Sequence, residues 1–142
     1  MRVTEVALTD IKSYHSRTVI PIEGGVTAIL GENGAGKSTI QEAIGFALFD
    51  SLPFANKDFV REGASSGTVE VTFEQETNDG RQRYRVTRSA GRANSSVHRY
   101  DSRSNAWVDQ DIDSKSALAR WLCARFDVAD GNSLQSLWES CI

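Results

Sequence analysis

The chain has 142 residues, of which 39% are hydrophobic and 25% charged, and its net charge is -3. That composition fits one globular domain able to bury about two thirds of its unfolded surface. No apolar run reaches the roughly 20 residues that cross a bilayer, MRVTEVALTD has charges where a signal peptide needs an apolar stretch, and the isolated residues His15, His98, Cys123 and Cys141 match neither zinc spacing nor a disulfide framework, so a cytoplasmic protein with free thiols and no membrane partner is expected.

RVTEVAL (2–8) reads as a strand, rich in β-formers with loose alternation. RTVIPI (17–22) is a second, with Pro21 marking an edge or a strand end. EGG (23–25) is a turn, and VTAIL (26–30) has the continuous apolar character of a central parallel strand buried on both faces. GENGAGKST (31–39) follows. Behind it, KSTIQEAIGFALF (37–49) places Ile40, Ala43, Ile44, Ala47 and Leu48 on one stripe of a helix.

Residues 50–68 look irregular. TVEVTFEQE (68–76) then alternates, with Val69, Val71, Phe73 and Gln75 on one face and Glu70, Thr72, Glu74 and Glu76 on the other. If Asp79-Gly80 is the two-residue turn, RQRYRV (81–86) returns with Glu76 opposite Arg83, Glu74 opposite Arg85 and Phe73 facing Val86. SSVHRYD and NAWVDQ form a second hairpin across residues 102–105. A helix is predicted at about 114–126, striped by Leu118, Trp121, Leu122 and Phe126 and capped by Asp113 or Ser114. NSLQSLWES (132–140) allows one or two further turns. Trp121, Leu137 and Trp138 read either as core or as surface left for another segment to cover.

Gly31 to Ser38 spell G-x-x-x-x-G-K-S, the phosphate-cradling loop. Glycines at 34 and 36 let successive N–H groups curl inward and keep side chains off the ligand. The helix N-terminus adds partial positive charge. Lys37 reaches the β- and γ-phosphates, Ser38 is placed to ligate Mg²⁺, and Thr39 faces the α-phosphate side. ATP and Mg²⁺ are therefore the expected cofactors. NKDF (56–59) puts Asp58 one place early for guanine recognition. No run of four apolar residues ends in Asp-Glu. Asp50 continues the loop's own helix, pointing away from the phosphates, and Asp10 precedes the loop without a second acid. No catalytic base is expected in this chain.

VALTDIKSYHS, GENGAGKST followed by EAI, and FVREGASSGTVEVTF resemble the opening of the SMC-like DNA-repair ATPases of the Rad-fifty family, which run N-F-R-S-H, I-x-G-x-N-G-A-G-K-S-S, E-A-I and R-x-G with a hairpin. SLWESCI (136–142) resembles the run-in to that family's Q-loop. The resemblance implies an α/β P-loop NTPase of the ABC-type ATPase head, a mixed core sheet plus antiparallel hairpins. Residues 1–142 would be its N-terminal lobe, ending before the Q-loop glutamine, with the coiled coil and the C-terminal lobe that carries the catalytic acid elsewhere. It implies further that Lys12 and Ser13 lie by the nucleotide phosphates, that Asn33, Gly34, Ala35, Gly36, Lys37, Ser38 and Thr39 form the loop, and that Val60, Arg61 and Glu62 lie beside adenine and ribose. Implied partners are the C-terminal lobe, a second head in a homodimer, DNA and a repair nuclease. The alternative is an ABC transporter nucleotide-binding domain, since Tyr14 stands 23 residues before Lys37, near a transporter's adenine-stacking aromatic.

Twelve of the 16 basic residues are arginine, and Arg81, Arg83, Arg85, Arg88, Arg92 and Arg99 fall in a stretch without any acid. Cross-strand glutamates explain some of them, at a few tenths to about 1 kcal/mol per pair. Arg88, Arg92 and Arg99 have no such partner in the alternation, and are the candidate DNA contacts.

Overall fold

A computed structural model describes residues 1–22, 35–92 and 94–141, with backbone alone at 35–37 and 139–141. The expected strand 26–30 and the glycines at 31 and 34 lie outside the described residues.

Strands β1 (Arg2–Thr9), β2 (Thr18–Pro21), β3 (Gly67–Thr77), β4 (Gly80–Ala90), β5 (Ser95–Asp101) and β6 (Ala106–Asp109) form one sheet, ordered β2-β1-β3-β4-β5-β6. Every pairing among them is antiparallel. Pro21, which has no N–H to donate, is the last residue of β2, the outermost strand among the described residues. Alternation, with a register shift in β1 between Val3 and Glu5, sends Val3, Val6, Leu8, Val69, Val71, Phe73, Tyr84, Val86 and Val97 to a buried inner face.

The inner face carries helices α1 (Ala35–Phe49), α2 (Lys115–Phe126) and α3 (Gly131–Cys141). The first lies against β1, β3 and β4, the second against β5, and the third against both other helices. Every residue from Ala43 to Phe49 is buried, more than the one predicted stripe, because sheet and α3 cover different sides. Full burial of a Leu, Ile or Phe contributes about 1.5–3 kcal/mol, so this segment anchors the core. Gly45 is where α1 and α3 meet. A Cβ there would lie 2.9 Å from Cε2 of Trp138 and 3.1 Å from the Ser51 carbonyl. The indole fills that notch and stacks on Phe49 at 4.9 Å and 15°.

Both later helices are capped as their sequences suggest. Ser114 Oγ accepts from the Ala117 N–H at 3.1 Å, and Asp127 closes α2 in the left-handed conformation. The Asp130 carboxylate accepts from the Ser133 N–H at 2.8 Å, and that bond holds its carboxyl below the usual range. With this cap α3 runs 11 residues rather than one or two turns. Trp138 is core, Trp121 is half-buried against Tyr84 and Phe73, and Leu137 is exposed.

The first hairpin pairs in a different register from the sequence expectation. Glu76 faces Arg81, Glu74 faces Arg83, Thr72 faces Arg85 and Phe73 faces Tyr84. The cause is Gly80, whose φ is +96°. It takes the left-handed position that follows the Asn78-Asp79 turn and pairs with Thr77, instead of being a turn residue itself.

Candidate functional site

A tight turn leaves β1. Asp10 N–H donates to His15 O at 3.2 Å, and Ile11 and Tyr14 exchange backbone bonds at 3.1 and 2.8 Å. Asp10 and Lys12 take left-handed φ values of 53° and 49°. Asp tolerates that region; for Lys it costs on the order of 1 kcal/mol, so surrounding contacts must hold it. The segment after the 3-10 turn Asn56–Asp58 supplies them. Lys12 N–H donates to Phe59 O at 3.0 Å, Arg61 N–H donates to Asp10 O at 2.8 Å, and Ile11 bridges Val60. Arg61 Nε adds a bond to Asp10 Oδ1 at 3.0 Å. Both side chains are 31% exposed, so the pair is worth about 1 kcal/mol at most.

Two stretches some fifty residues apart in sequence, carrying Lys12 and Ser13 on one side and Val60, Arg61 and Glu62 on the other, thus form one unit. Phe59 beneath them is fully buried and packs edge-on to Phe46 of α1 at 5.8 Å. The Lys12 ammonium lies 4.2 Å from the ring centroid of Phe54 and also acts on Glu42 of α1. Burial pushes the Glu42 carboxyl above its ordinary value, and Lys12 acts in the opposite direction. Glu42 stands four residues after Ser38, hence on the same helix face one turn on.

Ser38 is exposed and Thr39 buried in the first turns of that helix. The loop residues Asn33 and Gly34 lie outside the described residues; Ala35, Gly36 and Lys37 open α1, with their side chains outside the described part. Among the described residues no group of three or more His, Cys, Asp and Glu could hold a metal ion. The exposed Ser38 hydroxyl, a hard oxygen, fits Mg²⁺ as one ligand of an ion otherwise held by phosphate and water.

The acids weighed as catalytic bases have structural partners. Asp10 pairs with Arg61, and Asp50, just past the end of α1, lies 3.4 Å from Arg88 and 3.5 Å from Lys115. Arg88 therefore leaves the candidate DNA surface. It points inward on β4, is 4% exposed, donates from Nε to Ala47 O at 3.4 Å and lies over Phe46. Inward parity on the strand, not its neighbours in sequence, decides its role. Burial lowers its guanidinium pKa, with Asp50 opposing. Arg92 is exposed in the β4–β5 turn, and Arg99 is half-exposed opposite Tyr84. The ion pair Arg61–Asp10 was not legible in spacing, because it joins residues far apart in the sequence.

A family model described as an AAA domain matches residues 5–124. Over 102 residues the chain is 36% identical to a DNA double-strand break repair Rad50 ATPase of Methanocaldococcus jannaschii, covering 70% of this chain and 10% of that protein. Over 96 residues it is 33% identical to the DNA replication and repair protein RecF of Streptomyces avermitilis, covering 66% and 25%. A Rad50 ATPase of Sulfurisphaera tokodaii is 44% identical over 70 residues, covering 46% and 8%. The chain thus spans about a tenth of the Rad50 relatives and a quarter of RecF. A solved structure from work on ATP-driven dimerization and DNA stimulated activation of SMC ATPases shares the fold, with a TM-score of 0.58 at 22% identity over 91% of this chain and 81% of that one.

Proposed function

The chain belongs to the AAA domain family, and from that membership we propose that residues 1–142 are the ATP-binding N-terminal lobe of an SMC-like ATPase head acting in DNA double-strand-break repair or chromosome maintenance. The observation that carries this is the union of the 10–13 turn with residues 59–62, anchored on α1 through the Phe59–Phe46 contact. The relatives bear the names of DNA repair proteins, which favours this over an ABC transporter domain.

In this proposal the amides of residues 33–37 and the start of α1 hold the phosphates, and Lys37 supplies a fixed positive charge to the β- and γ-groups. Lys12 and Ser13 approach the same phosphates from the turn. Val60, Arg61 and Glu62 border adenine and ribose. Ser38 would hold Mg²⁺, which when bound neutralises charge on the phosphate tail. The water-activating acid comes from the C-terminal lobe, and a second head closes over the nucleotide on DNA. A repair nuclease is the further partner.

Isothermal titration with Mg·ATP tests the lobe. Binding is expected in the 142-residue chain and its loss in Lys37→Ala, with no turnover by either. Hydrolysis is expected once the C-terminal lobe is co-expressed, and a rise with DNA. Absence of binding, or unaided turnover by this chain, overturns the proposal.

A further inference from the structure

The outer face of the sheet, away from the helices, carries a layered cation–aromatic cluster across β4, β5 and β6. Arg83 lies 5.3 Å from the ring centroid of Tyr100, and Arg85 lies 4.2 Å from that of Trp107. The two rings meet edge-to-face at 5.4 Å. Tyr100 is fixed from outside by a hydrogen bond from its hydroxyl to Asn105 Oδ1. Beside it, between the two hairpin tips, opens a cavity of about 650 Å³ whose cationic lining is Arg81, Arg83, Arg99 and Arg103.

Glu74 and Glu76 answer part of this charge. Glu74 reaches Arg2, Arg81 and Arg83 at 3.4, 3.5 and 3.9 Å, and Glu76 reaches Arg81 at 2.9 Å. Asp101 accepts from Arg103 N–H and Ser104 Oγ, and its charge also acts on Arg99 and Arg103. No ion pair engages Arg85, Arg99 or Arg103 among the described residues. Arg85, over the Trp107 ring with a hydrogen bond to Thr72 Oγ1 and no acid, is charge that the surface does not neutralise.

We propose that this face binds single-stranded nucleic acid, with bases stacking on the Arg83–Tyr100 and Arg85–Trp107 layers and Arg103 of the adjoining β5–β6 turn meeting the phosphates. Bases stack on guanidinium planes as well as on rings, and both tolerate any sequence. The cavity is of a size to take one nucleotide. The cluster lies on the opposite face of the sheet from α1, so the strand and the ATP phosphates occupy separate surfaces. The proposal rests on a DNA-acting head, and loss of strand binding while Mg·ATP still binds removes only the platform.

A thymidine oligonucleotide of about 15 residues, titrated into the 142-residue chain while following tryptophan fluorescence, tests it. Saturable quenching is expected, absent in Trp107→Phe although Trp121 and Trp138 remain. Tyr100→Ala should weaken binding about ten-fold, and Arg103→Glu should weaken it too and flatten its salt dependence. Circular dichroism of each variant should match the parent. No quenching, or unchanged affinity in Tyr100→Ala, overturns the proposal. So does equal affinity for a duplex insensitive to Tyr100→Ala, or for thymidine monophosphate alone.

Discussion

Arg88 and Glu42 show how burial decides what a charge does. Arg88 is held between Asp50, Ala47 O and the Phe46 ring with its side chain 5% exposed. Removing one partner of a buried pair costs more than replacing the pair with apolar packing. Asp50→Asn keeps the left-handed conformation of that residue but strips its charge, and is expected to cost about 2 kcal/mol in urea unfolding, after allowing for the 31% exposure of Asp50. Replacing the pair together, Arg88→Met with Asp50→Asn, should cost less than Asp50→Asn alone in the same measurement. The Glu42 carboxyl titrates above its unfolded value because burial disfavours the anion. A raised carboxyl contributes stability that is full below the unfolded value, about pH 4.3, and declines as pH rises through the folded one. Glu42→Gln is therefore expected to raise Tm at pH 7 relative to the parent and to change it little at pH 4, as differential scanning calorimetry can check.

Elements carry the next lesson, in α1 and the first hairpin. Gly45→Ala would ordinarily strengthen a helix by up to about 1 kcal/mol. Here the added methyl meets the indole of Trp138 and the Ser51 carbonyl, so a net loss of about 1–3 kcal/mol is expected in urea unfolding, with a shift in tryptophan emission as the ring is expelled. Nothing in the sequence joined Gly45 to Trp138, which lies 93 positions later. By contrast β3 to β6 and α2 were legible, since clean alternation, an Asn-Asp-Gly turn and a Ser cap are local signals. The hairpin register was not, because either dipeptide of Asn78-Asp79-Gly80 could have formed the turn, and only the left-handed φ of Gly80 decides. The same error hid the true partners of Arg81, Arg83 and Arg85. At the site, the glycine-lysine loop announced itself, whereas the bonds tying residues 10–12 to 59–61 exist only in three dimensions.

At the scale of the whole molecule, ligand and fold should be linked. Nucleotide that binds the native chain and not the unfolded one raises stability by about 2.7 kcal/mol at 100 times Kd. Saturating Mg·ATP is thus expected to raise Tm by several degrees in the parent, and to leave Lys37→Ala where it was, in a thermal-shift measurement. One further consequence follows from the way Trp138 is seated. An indole lodged in a glycine notch and laid flat on Phe49 acts as a key between α3 and α1. Helix α3 cannot roll without withdrawing that key, so any twist of α3 is passed directly to α1.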